Sequence, residues 1–182
     1  MIDIAATVID VQAHHADQFL AFVHDSSEGC ELCGAELRFQ VPNTPLFEGH
    51  YVVDFFVNEG PRPGAREVIT EPLLGLVEQE ESIQGLRVRM APFAWEAVRF
   101  EWESSTVDDG LVAGWFDRWV DPNDARYVEG RLLGEIAHSL MIEQGGASID
   151  FGSAPPQAFW DWLEVVRASG IASVTIGSDR RE

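Results

Sequence analysis

Lysine is absent from this chain, and positive charge is scarce: 12 Arg stand against 31 Asp plus Glu, for a formal net charge of -19 on 182 residues. That balance excludes a nucleic-acid-binding surface, which needs a basic stripe to meet phosphate. A surface of this sign also repels anionic membranes. Long apolar runs are missing as well. No stretch reaches 18 consecutive apolar residues, and MIDIAATVIDVQAHH at the N-terminus carries no basic leader segment, so neither a signal peptide nor a membrane span is expected. Cysteine is limited to two residues, too few for a disulfide scaffold. With no export signal, the pair predicts reduced thiols in a cytoplasmic, bacterial-type setting. The chain contains no GxGxxG, P-loop, HExxH or GxSxG signature.

What is present is apolar: 46% of the residues, with six Trp among them. A disordered acidic tail lacks such residues, so the composition predicts a folded body with a negative surface. Its length fits a single domain over residues 1–182. The acids are dispersed, as in Glu78, Glu80 and Glu81 or Asp117, Asp121 and Asp124. Dispersion of this kind suits a negative face that attracts a basic partner, or charge carried for solubility alone.

The element pattern reads as α+β: a mostly antiparallel sheet flanked by helices, closed by a C-terminal helix–strand–helix–strand segment. Ile2 to Val11, rich in β-branched residues, predicts a strand, with a short helix over Ala13 to His24. Strands are expected at Ala35–Val41, Gly49–Val57, Gly85–Met90 and Ala97–Glu103, with a loop over Asn58–Gly64. Asp109-Gly110 predicts a hairpin whose second arm is Leu111–Val120. The apolar spacing of Val128, Leu132, Leu133, Ile136, Leu140 and Met141 predicts a long helix over Ala125–Gln144, stopped by Gly145-Gly146. A strand over Ala147–Phe151, a helix over Gln157–Ala168 and a strand over Ile171–Ile176 complete the chain. That strand–helix–strand run predicts two parallel neighbours joined by a crossover.

Cys30 and Cys33 form the one motif with a chemical spacing. A CxxC turn followed by Gly is the shape of a zinc knuckle, and zinc needs further ligands, for which His24 and His50 are the nearest candidates, then His14 and His15. Two ordinary reduced cysteines fit the same spacing. A thioredoxin-like role fits less well, because a strand rather than a helix follows and the flanking residues are acidic.

His138 has Glu135 three residues before it on the expected helix, a spacing that lets a carboxylate orient an imidazole. Asp150-Phe151-Gly152 matches the kinase magnesium loop in letters only, since its companion motifs are absent; Asp150 ends a strand and Gly152 turns the chain. On the C-terminal helix Trp160 and Trp162 point about 200° apart, so one is expected at the surface. There it would stand among Asp161 and Glu164, the composition of a protein-binding hot spot.

The segment LLGEIAHSLMIEQGGASIDFGSAPP, followed by a Trp-rich helix and a closing strand, resembles bacterial cytosolic immunity proteins that neutralise toxins. The resemblance implies inhibition by tight binding, without catalysis and without a cofactor. Together with the charge it leads to the expectation of an acidic interaction protein whose partner is a basic protein such as a toxin domain. A zinc-binding protein or small enzyme built on Cys30 and Cys33, and a stand-alone ligand-binding domain, are the alternatives.

Overall fold

A 24-residue helix, α1 (Ile4–Ser27), opens the chain where a strand was expected. Ile4, Val8, Val11, His15, Phe19 and Val23 recur every three or four residues and are all buried, so a single helical stripe overrides the β-branched composition of the first turns. Asp3 caps it, its side chain accepting from the Ala5 N–H at 3.1 Å. The computed structural model describes residues 3–58, 63–103, 105–126 and 128–178.

The fold is α+β, with two sheets. The first is antiparallel, in the order β1 (Cys33–Gln40), β2 (His50–Val57), β3 (Gly64–Arg66). The second holds β4 (Gln79–Ile83), β5 (Leu86–Met90), β6 (Val98–Glu101), β7 (Ser139–Glu143), β8 (Gly146–Asp150) and β9 (Ser173–Ser178). Its order is β4-β5-β9-β6-β8-β7. Two further helices, α2 (Asp109–Trp119) and α3 (Pro156–Ala168), pack against each other.

Several local expectations are corrected. Asp109-Gly110 is the first turn of α2, not a hairpin; Asp108 caps that helix by accepting from the Leu111 N–H at 3.0 Å. Val112, Trp115, Phe116 and Trp119 then form its buried stripe. The long helix over Ala125–Gln144 does not form. Asp121, Asp124, Gly130 and Glu135 all take left-handed backbone angles, and Asp121 turns the chain by accepting from the Ala125 and Arg126 N–H groups at 2.8 Å. Leu140 to Ile149 is instead the β7–β8 hairpin. The segment that carries the resemblance is thus a loop and a hairpin before its helix and strand. Finally, β8 and β9 run parallel but are not neighbours, because β6 lies between them, antiparallel to both. Of the loop expected over Asn58–Gly64, residues 59–62 lie outside the described residues.

Two cores result. The larger packs α2, α3 and the N-terminal half of α1 on the six-stranded sheet, with Trp95, Phe100, Phe151, Phe159 and Trp162 at its centre. The smaller packs Phe19 and Val23, from the C-terminal half of α1, on Phe55 and Val57 of β2. Each such buried side chain contributes roughly 1.5–3 kcal/mol. Helix α1 therefore braces both sheets, and His15 sits on it where the two cores meet.

Candidate functional site: a histidine–carboxylate clasp and an acidic apolar face

His138 enters β7 with its side chain fully buried. Its backbone already links the two sheets: its C=O accepts from the Val52 N–H of β2 at 2.9 Å, and its N–H donates to the Asp150 C=O of β8 at 2.8 Å. The ring does the same. Nε2 lies 2.9 Å from Glu36 Oε1 on β1, Nδ1 lies 2.9 Å from Asp54 Oδ1 on β2, and Asp150 Oδ2 is 4.0 Å away. The expected partner, Glu135, is elsewhere, paired with Arg131 at 3.3 Å.

The two carboxylates are themselves held in place. Glu36 accepts from the Ser153 hydroxyl and the Gly134 N–H. Asp54 Oδ2 accepts from the Val68 N–H at 2.6 Å. Gly152 packs so closely on the ring that a Cβ there would overlap it, and its φ of +46° is one that L side chains rarely adopt.

These contacts fix the charges. Burial pushes the His138 pKa down, but the bonds to Asp54 and Glu36 and the charge of Asp150 outweigh it and hold the imidazole well above its ordinary value. Burial pushes Glu36 and Asp54 up, but their bonds to His138 and its positive charge hold both below the usual carboxylate range. Burial pushes Asp150 up. His15, 3.2 Å from Glu96 Oε2, goes the other way: burial, with the His138 charge adding to it, lowers it to about 4, so it is neutral near pH 7. An imidazolium held at both nitrogens has no lone pair to offer as a base or a metal ligand. The cluster is an electrostatic clasp between the sheets.

The metal expectation is not assembled. His50 pairs with Gln40 while Cys33 pairs with Val57, so seven residues, about 23 Å of strand, separate His50 from the thiols. His50 packs on the Phe116 ring instead. His24 is exposed, 3.7 Å from Asp25. Cys30 and Cys33 are half-buried and not disulfide-bonded. Among the described residues no group of three or more His, Cys, Asp or Glu is arranged to hold a metal ion.

Of the expected binding residues, Trp162 is buried in the larger core. Trp160, Asp161 and Glu164 do converge. They line one side of a groove of about 420 Å³ with Ile83, Leu86 and Leu163. The carboxylates there are neutralised locally, Asp161 by Arg118 at 3.2 Å and Glu164 by a two-pronged bond from Arg167. That face has aromatic area but no excess of negative charge.

The excess lies elsewhere. Residues 67–81 contain five Glu and no basic residue. This segment runs antiparallel along α1. The Glu71 C=O accepts from Gln18 Nε2 and lies 2.8 Å from His14 Nε2, and Gln79 Nε2 donates to Thr7 Oγ1 at 2.8 Å. Asp3, Asp10 and Asp17, seven residues apart and all exposed, form a stripe about 40–60° around α1 from the Thr7–His14–Gln18 line. Among these acids stand apolar side chains: Ile69 is 88% exposed, Leu74 86% and Val77 56%. Among the described residues, the arginine ion pairs reach this face only at Arg89–Glu78. Sequence reasoning noted the Glu78–Glu81 run but missed the face, because the Asp stripe exists only once Asp3 to Asp17 are helical.

No helix among the described residues is long and apolar enough to cross a membrane. No known family matches the chain, and no curated protein or solved structure is similar to it.

Proposed function

We propose that this protein is an acidic binding protein that captures a cationic protein on the face formed by α1 and residues 67–81. The observation that carries the reading is the exposure of Ile69, Leu74 and Val77 within a field of seven carboxylates, Asp3, Asp10, Asp17, Glu71, Glu78, Glu80 and Glu81. Exposed apolar groups give contact area, and the surrounding charge steers and selects a basic partner. A toxin domain whose active surface is basic is the partner class that the resemblance of the last third implies, and blocking such a surface is what a non-catalytic acidic face does best. The buried clasp supports the same reading, since it supplies rigidity and no reactive group.

The test is calorimetric titration with a defined folded cationic protein at low and high salt. Replacing Glu71, Glu80 and Glu81 by Gln should weaken binding at least tenfold at low salt. Replacing three exposed acids elsewhere, Glu103, Asp117 and Glu129, should weaken it by less than threefold. Equal losses from the two triple variants would defeat the assignment to this face.

A further inference from the structure

The docking segment has an electrostatic anchor at its root. Glu67 follows β3 directly, and its carboxyl turns inward: Oε1 accepts from the Tyr51 hydroxyl at 2.7 Å and Oε2 is 3.4 Å from the Asp54 N–H. Asp54 is itself divided, one oxygen on His138 and the other on the Val68 N–H. Two carboxyl groups, one from the segment and one from β2, therefore share a corner whose remaining donors are already used. The groups around it are also mostly acidic. Tyr51 and Asp54 face it from β2, and Glu36 from β1 and Asp150 from β8 surround His138 behind Asp54. His15 on α1 is neutral near pH 7, Glu96 lies beside it, and Arg66, next to Glu67 in the chain, is exposed. One imidazolium cannot balance so many carboxylates, and Glu67, desolvated beside the Asp54 charge, is the one to keep a proton.

We infer that Glu67 and Asp54 form a proton-dependent latch, in which the protonated Glu67 carboxyl donates to Asp54 and holds Val68 and Ile69 in place, and the ionised one swings to solvent and frees them. Burial and the Asp54 charge, against the Tyr51 bond, bring Glu67 up to about 7, so the latch works near neutrality. For its biological meaning the inference rests on the proposed docking face, because Ile69 belongs to that face. The latch itself is a property of the unliganded protein.

Hydrogen exchange of the unliganded chain tests it, with the Val68 amide followed from pH 6 to pH 8 and corrected for intrinsic exchange. Protection of Val68 should fall about fivefold between pH 7 and pH 8, as the protonated fraction does. In Glu67→Gln, whose amide can donate to Asp54 at every pH, protection should stay flat. In Tyr51→Phe, which removes the bond that favours the ionised carboxyl, the transition should move to higher pH. Identical pH profiles for wild type and Glu67→Gln would overturn the latch. That outcome would leave the docking face standing, since its test is binding at fixed pH. Conversely, a docking failure would leave the exchange result unaffected.

Discussion

Glu36 and Asp54 face each other across the β1–β2 ladder, and the ladder skips only that pair, with Ala35↔Phe55 and Leu37↔Val53 on either side. Like charges directly opposite destabilise a sheet, and Glu36 adds a left-handed φ of 52°. Both features persist because the His138 imidazolium lies between the two carboxylates. Removing it should be severe. His138→Gln is expected to lower stability by about 3–5 kcal/mol in urea titration, the usual cost of leaving buried charges unpaired. The triple variant Glu36→Gln, Asp54→Asn, His138→Gln, neutral throughout, should lose less than His138→Gln alone. A larger loss in the triple variant would show that packing, not charge, holds this corner.

Gly152 tests the same corner by volume. Gly152→Ala adds a methyl where the His138 ring sits, at a φ unfavourable to alanine. A loss of about 2–5 kcal/mol is expected, combining overpacking with backbone strain. A thermal midpoint unchanged from wild type would mean that the ring is not locked.

His15 supplies a pH signature. Its folded pKa of about 4 lies below its ordinary 6.5, so between those values the unfolded chain binds more protons than the folded one. Its neutral burial therefore costs stability progressively as pH falls from 6.5 to about 4. The clasp carboxylates Glu36 and Asp54, held low, lose their contribution only as pH falls below the ordinary carboxylate range. Urea midpoints of His15→Leu should consequently fall less steeply than those of wild type between pH 6.5 and 4.5. Parallel curves would place the acid sensitivity in other groups.

Much of the sheet was legible in the sequence, because β1, β2, β5 and β8 show alternation or dense apolar runs that local physics reads directly. Helix α3 was legible from Pro155-Pro156 and its inward stripe. The misread elements share one cause: tertiary burial outvoted local signals. Ile4, Val8 and Val11 favour a strand by composition but line a helix because α1 must cover two cores. Asp108 caps a helix that Asp109-Gly110 disguised as a turn. The clasp was out of reach. His138 was singled out, but its partners Glu36 and Asp54 lie 102 and 84 residues away in sequence, and no spacing rule joins them. The acidic face was half visible, as the run Glu78, Glu80 and Glu81.

The most direct measurement of the central claim is an amide chemical-shift map of the protein titrated with a short oligo-arginine peptide at low salt. The largest shifts should cluster at residues 67–81 and around Asp3, Asp10 and Asp17, and should fade as salt rises. Shifts spread evenly over all exposed acids, or centred on Trp160 and Glu164, would contradict a dedicated cation-binding face.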